Sequence, residues 1–358
     1  MNPSTTTIGT TVKPHAVRRK RGGGFWTRRI VLGLLVLLVA LPATGATYQA
    51  VATAMDRRAY PAPGERINVG GYKLHITCLG AGSPTVILLH GNGGSALDWY
   101  GVQPAIARTT RACAYDRAGS GWRDADPGAQ DARHGVAELH TLLANAGIPG
   151  PCVLVGHSFG GLYSRLYAAQ YPDQVAGMVL LDATHPDQWT RTPAGQTVYT
   201  TVRRQVRLQA WLARIGIARL LLTPHALPPG YDMPAQTFAA WQAIVSSTRH
   251  IDAGVAEFGA SPTLMDDVRA THGLGAMPLA VVTARGDHTQ GIARSSDVEA
   301  LHLALQRELA GLSTNSTQQV VEDADHSSLL FNPTHRNVAI VAISRVLEAV
   351  RTGQPLAR

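Results

Sequence analysis

Cysteine is scarce. The 358 residues hold three, Cys78, Cys113 and Cys152, each inside an apolar run, with no C-x-x-C pair and no cysteine–histidine cluster. That excludes a metal centre or a disulfide framework as the organiser of the fold. Acidic residues are nearly missing up to Tyr60, where Asp56 stands alone against nine Lys and Arg. Those residues account for the whole net charge of +8, so the rest of the chain is neutral and carries no basic footprint for a nucleic acid. No internal repeat or low-complexity tract is visible, and a hydrophobic content of 45% supplies a sizeable core.

Charge is also missing from residues 30–55, whose first part, up to Leu41, is almost wholly aliphatic. This stretch exceeds the roughly 20 residues that a helix needs to cross a bilayer. Before Pro42, however, the strongly apolar part has the length of a signal-peptide core. Thr44-Gly45-Ala46 offers only a mediocre cleavage site, so retention is favoured: residues 1–29 form a basic cytoplasmic segment and 30–55 a signal anchor, with cleavage as the alternative. The arginines before the run place the remaining chain on the extracytoplasmic side. Thr27-Arg28-Arg29-Ile30-Val31-Leu32 resembles a twin-arginine export signal, although a topology signal explains the arginine pair equally well.

Beyond a Pro/Gly linker at 60–64, residues 66–69 and 72–78 alternate around Gly70-Gly71 as a hairpin does. Apolar runs at 84–89, 111–115, 153–155, 175–181, 279–283 and 317–321 read as further strands, buried on both faces where they are continuous. Helical stretches at 132–146, 162–171 and 338–352 separate or follow them. Such alternation predicts a mostly parallel sheet covered on both faces. Between Asp182 and Met277 about a hundred residues have helical periodicity and no convincing strand, a candidate lid. Within it, residues 197–222 set Arg203, Arg204, Arg207, Arg214 and Arg219 among aliphatic positions; solvation of one face is the ordinary reading, contact with anionic lipid the sharper one.

One strand runs straight into Gly156-His157-Ser158-Phe159-Gly160-Gly161, a Gly-x-Ser-x-Gly pattern followed by a helix stopped at Pro172. The glycines permit a sharp strand-to-helix turn that forces Ser158 outward, at a helix N-terminus that favours developing negative charge. Together with His90-Gly91-Asn92-Gly93-Gly94 after one buried strand and Tyr115-Asp116-Arg117-Ala118-Gly119-Ser120-Gly121-Trp122 after the next, the elbow makes the chain resemble the α/β-hydrolase superfamily. It looks most like the lidded esterase and aminopeptidase-type branch, from about Arg66 to the C-terminus. The resemblance implies an α/β class fold, the α/β-hydrolase fold: an eight-stranded mostly parallel sheet with helices on both faces and an inserted helical lid. The expected divisions are core at 60–185, lid at 186–277 and core again at 278–358. The strands of Cys78 and Cys113 would be neighbours, and an exported location permits a disulfide there, although buried thiols are the default.

A serine hydroxyl needs a base to take its proton, and His326, after the final strand, stands where the superfamily places its catalytic histidine. His157 and His90 read as structural, and His288 is a competitor, being adjacent to Asp287, although adjacent residues cannot readily make the side-chain hydrogen bond that orients an imidazole. The orienting acid is expected at Asp287, which ends the seventh strand in the order Ser, Asp, His. Asp182, ending the sixth strand, is the alternative. Asp116 and Arg117 read as a structural turn, and Asp323 and Asp325 as loop residues. The main-chain N–H groups of Phe159 and Asn92 are expected to form the oxyanion hole. Superfamily members acting on haloalkanes use an aspartate nucleophile; Ser158 therefore disfavours dehalogenation and epoxide opening by a carboxylate.

These residues imply a serine hydrolase cleaving a carboxylic ester through an acyl-enzyme. Aminopeptidase, amidase, carbon–carbon hydrolase and acyltransferase chemistries are the alternatives, and a non-catalytic membrane-tethered module the least favoured. The expected partners are a small-molecule acyl substrate and, through the N-terminal segment, a membrane. No cofactor, metal or nucleic acid is expected.

Overall fold

Strand and helix alternate through the chain, and the apolar runs become the strands. The computed structural model describes residues 1, 9–11, 23–117, 119–122, 131–286 and 296–356. Lys13 and the Arg18-Arg19-Lys20-Arg21 cluster, Ala118, Asp287 and His288 lie outside them. The chain divides into two units, Met1–Thr44 and Gly45–Arg358. Helix α1 spans Gly23–Ala59 with Pro42 inside it. In the first unit its aliphatic side chains are exposed, from Ile30 to Leu41, as suits a surface meant for lipid.

In the second unit eight strands form one sheet: β1 Glu65–Asn68, β2 Lys73–Leu79, β3 Val86–Leu89, β4 Ala112–Tyr115, β5 Cys152–His157, β6 Val175–Leu181, β7 Leu279–Ala284 and β8 Ser316–Val321. Their order is β1-β2-β4-β3-β5-β6-β7-β8. β2 pairs antiparallel with β1 and β4, and every other pair is parallel. The β1–β2 turn is drawn in by Asn68, whose Oδ1 accepts from the N–H groups of Gly70 and Gly71. Antiparallel register sets Cys78 opposite Cys113, with Cα atoms 4.1 Å apart, and the two form a disulfide; Cys152 is free and buried.

Because side chains alternate across a strand, each central strand feeds two cores. Ile87, Leu89, Leu154, Leu180 and Val281 meet one face, where α3 Ala132–Asn145, α4 Phe159–Gln170 and α8 Ser296–Ala310 supply Leu139, Leu162 and Leu309. Val86, Leu88, Val153, Val155, Val179 and Val282 meet the other, against Ile106 of α2 (Gln103–Ile106) and Ile343, Val346 and Leu347 of α10 (Pro333–Thr352). Between β6 and β7 lie α5 Pro193–Arg214, a π-helical turn at Ala218–Leu222, α6 Ala235–Val245 and α7 Thr248–Arg269. The short α9, Ser328–Phe331, precedes α10. The parallel strands thus deliver their C-terminal ends to one edge, where open α/β sheets place ligands.

Candidate active site

β5 ends on His157 and α4 starts on Phe159, so Ser158 alone makes the turn. Its φ of 54° with ψ of −122° is backbone that a non-glycine residue seldom adopts. Space at the bend is equally tight. A Cβ on Gly156 would stand 2.5 Å from the backbone of Gly160, and one on Gly160 2.1 Å from the carbonyl oxygen of Leu89. The serine's main chain is pinned: its N–H donates to Leu181 at 3.2 Å, and its carbonyl accepts from Gly161 and Thr184, both at 3.0 Å. Phe159, as the first residue of α4, has no carbonyl of its own helix to which its N–H can donate.

His326 lies in the loop between β8 and α9, its Nδ1 2.6 Å from Oδ2 of Asp182. Its main-chain oxygen accepts from His157 Nε2 at 2.9 Å, and the two rings are 4.5 Å apart. Burial first, then the neighbouring His326, lowers the pKa of His157 to about 3, so His157 is a neutral donor that holds the loop. Asp182 directly follows β6, with a φ of 41° and a side chain 1% exposed. Its Oδ1 accepts from Ala284 N–H at 3.0 Å and faces Nε2 of a second imidazole, His302 of α8, also at 3.0 Å. A neutral His326 that gives its Nδ1–H to Asp182 keeps the Nε2 lone pair for an incoming proton. The carboxylate paired with His326 is therefore Asp182, the alternative from the sequence, whereas Asp287, the expected acid, lies outside the described residues.

The loop after β3 carries the second expected oxyanion donor. Its His90 accepts from Arg117 N–H through Nε2 at 3.3 Å and donates from Nδ1 to Gly91 at 2.7 Å, a neutral tautomer in keeping with a pKa pushed well down by burial and then by Arg117. The Arg117 guanidinium donates to the carbonyls of His90 and Gly91 and to Glu257 of α7, the last at 2.8 Å; both members of that ion pair are nearly buried. Glu257 also accepts from the Asn92 side chain at 2.8 Å, and the same amide donates to Gly254 at 2.9 Å. With its side chain committed to α7, Asn92 has its main-chain N–H to offer a developing oxyanion. His250 of α7 completes the clasp, accepting from Gly121 N–H at 3.2 Å and donating to the Gly93 carbonyl at 2.9 Å. Asp116 does act as a turn residue: it accepts from His75, from Ala96 N–H and from Trp122 N–H.

Ser158, Phe159, Asn92, Asp182, His302 and His326 all line one cavity of about 530 Å³. Its other wall comes from the helices between β6 and β7, with Val198, Val202 and Val206 of α5, Trp241 of α6, and Ile251 and Phe258 of α7. Asp98 also lines it; burial pushes its carboxyl up to about 7, against the donation of Ser95 N–H and of the Trp241 indole N–H at 3.2 Å. His302, Glu257, His250 and Asp98 carry no sequence motif; each is identified only by what the fold brings against it. Among the described residues one cluster of metal-ligand types, His185, Asp187 and Glu308, lies elsewhere, and its carboxylates are occupied by Arg191 and Arg269.

The sequence matches the family described as the alpha/beta hydrolase family over residues 86–340. An uncharacterized protein of Schizosaccharomyces pombe is 37% identical over 120 residues, 33% of this chain and 21% of that protein. Epoxide hydrolase 4 of Mus musculus is 28% identical over 128 residues, 35% of each chain. This chain therefore spans about a fifth to a third of the length of these relatives. An esterase of Thermogutta terrifontis with bound malate superposes with a TM-score of 0.56 at 21% identity, covering 80% of this chain and 98% of that one, a likeness of fold.

Proposed function

The chain belongs to the α/β hydrolase family, and on that footing we propose that it is a serine hydrolase that cleaves a carboxylic ester through an acyl-enzyme. The observation that carries this reading is Ser158 held on a strained elbow at the floor of an apolar cavity that also receives His326, whose Nδ1 is fixed on buried Asp182. His326 Nε2 takes the hydroxyl proton as Ser158 Oγ attacks the acyl carbon, and Asp182 stabilises the resulting imidazolium. The N–H groups of Phe159 and Asn92 receive the oxyanion. His326 then returns the proton to the leaving alcohol, and water repeats the sequence to free the acid. Amide, carbon–carbon or acyl-transfer chemistry would use the same groups.

In this reading the helices between β6 and β7 are the lid, and residues 30–55 anchor the enzyme in a membrane with the catalytic unit outside the cytoplasm. Labelling by a fluorophosphonate tests the chemistry: the wild-type protein should react and Ser158→Ala should not, whereas a wild type that resists the reagent and turns over no p-nitrophenyl ester would leave a binding module. Alkaline carbonate extraction tests the anchor, since a full-length protein should remain in the membrane pellet and a soluble form beginning near Thr47 would show cleavage.

A further inference from the structure

Gln49 is a polar residue 3% exposed, the one buried position among the described side chains of α1. It is buried because the lid grips it: its Nε2 donates to the Ser246 carbonyl at 2.9 Å and its Oε1 accepts from Arg219 at 3.1 Å. Arg219 also pairs with Asp56 at 2.6 Å and donates to Thr53 at 3.3 Å. One turn earlier, Gly45 and Gly216 pack so closely that a Cβ on Gly45 would lie 2.1 Å from the Ile215 carbonyl oxygen. The segment gripped, 45–56, directly follows the aliphatic run in sequence. About 20 residues of helix cover the hydrocarbon of a bilayer, so a span that starts at Ile30 ends near Gln49. In a chain anchored by that run, the lid elements that touch residues 45–56 are tethered within a short stretch of chain from the lipid.

Their outward side chains fit that position. Leu220, Leu221 and Leu222, which follow Arg219 directly, are 54%, 75% and 48% exposed, and Leu208 and Trp211 near the end of α5 are 59% and 65% exposed. Val51 and Met55 on the gripped helix are exposed too. Such a group of large apolar side chains is costly in water and marks a contact surface. Arg204 and Arg207 on α5 and Arg57 and Arg58 near the end of α1 are exposed too, a complement to anionic headgroups, while Trp211 is the residue type that favours a membrane interface. The opposite face of α5 carries Val198, Val202 and Val206 into the cavity above Ser158. One helix therefore separates this apolar surface from the catalytic cavity.

We propose that the end of α5 and the Ala218–Leu222 turn seat on the bilayer surface, and that the enzyme draws a long-chain acyl ester from the lipid into the cavity. The inference rests on the anchor and hydrolase readings above. The test uses the full chain reconstituted in phosphatidylcholine vesicles containing phosphatidylglycerol, with an environment-sensitive fluorophore on Leu221→Cys, Val36→Cys or Glu348→Cys and quenching by spin-labelled lipid. Quenching at 221 several-fold above that at 348 is expected. Quenching at 36 with 221 no different from 348 would overturn the inference and leave the anchor standing; no quenching at 36 would remove the anchor and the inference with it. In parallel, a triple Leu220→Ser, Leu221→Ser, Leu222→Ser variant should turn over vesicle-borne p-nitrophenyl palmitate about tenfold more slowly while hydrolysing p-nitrophenyl butyrate at the wild-type rate. Unchanged palmitate turnover would overturn the route from the lipid, and a wild type inert to both esters would remove the hydrolase reading while the quenching still decides the docking.

Discussion

The two walls of the cavity are built by different means. On the sheet side the groups proposed for the chemistry sit just past strand ends, where main chain is held in unusual conformations, Ser158 at a φ of 54° and Asp182 at 41°, directly beyond the last pairs of the ladder. On the lid side the wall is helix, and its cavity residues are mostly aliphatic and aromatic side chains that could be exchanged without altering the backbone. The difference suggests a division of labour: chemistry is fixed where backbone strain can be stored against a sheet, and substrate selection is left to side chains on helices. The strain at the elbow is sustained by the buried strands around it.

The sharpest way to break this comparison is to remove the sheet-side groups. Ser158→Ala and His326→Ala should each lower kcat for p-nitrophenyl butyrate by about 10⁴-fold or more with circular dichroism unchanged, and the double variant should be scarcely worse, because the two act as one unit. Next is the acid. Asp182→Asn should cost about 10³ to 10⁴-fold in kcat, because an amide in place of the buried carboxylate would hold His326 in the wrong tautomer. Asp287→Asn made in parallel should cost far less; the reverse ranking in the same assay would return the acid to the seventh strand.

Glu257 is the exception that joins the two walls, a lid residue whose carboxylate reaches both Arg117 and Asn92 of the loop after β3. Glu257→Gln should therefore behave as a sheet-side change, lowering kcat by about 10 to 100-fold. It should also lower stability by about 3 kcal/mol, because a buried guanidinium loses its counter-charge. Denaturant titration and steady-state kinetics read the two effects separately. By contrast Phe258→Ala, which enlarges the lid wall, should leave kcat for the butyrate within about threefold and move the preferred acyl chain to greater length in a p-nitrophenyl ester series.

How much of this was legible in the sequence follows the same division. The strands, their parallel majority and the Ser158 elbow were readable because apolar runs and glycine spacing are local consequences of burial and of a tight bend. His326 was readable from its place after the last strand. In the sequence Asp182 and Asp287 each follow an apolar run, and the choice between them turns on which strand end His326 faces, a distance that no local pattern encodes. His302, Glu257 and His250 were invisible for a related reason: each sits on a helix with no motif around it, and its role exists only because α7 or α8 is packed against a strand-end loop.

The smallest expected effect is on the pH dependence of stability. His90, His157, His185 and His250 are all buried with pKa values lowered by burial, to about 3 for His157 and about 4 for His185. Below their ordinary value of 6.5 the unfolded chain takes up protons at these sites that the folded chain does not, so the stability they confer is present above pH 6.5 and is lost as the pH falls. Each group can contribute a slope of up to about 1.4 kcal/mol per pH unit. Asp98 opposes them: its pKa is raised from 3.8 to about 7, chiefly by burial, so the folded chain holds the extra proton and stability falls as pH rises through that window. Asp252, raised by burial, and His75, raised in spite of burial by its hydrogen bond to Asp116, act in the same sense as Asp98. The four lowered histidines outnumber these three groups, and the net expectation is a melting temperature that drops from pH 7 to pH 5. His250→Gln keeps a donor for Gly93 and an acceptor for Gly121 without a titrating ring, and should make that drop shallower by a few degrees. Asp98→Asn should make it steeper. A drop that is the same in wild type and both variants would show that neither lid clasp nor cavity carboxyl is linked to folding through its proton.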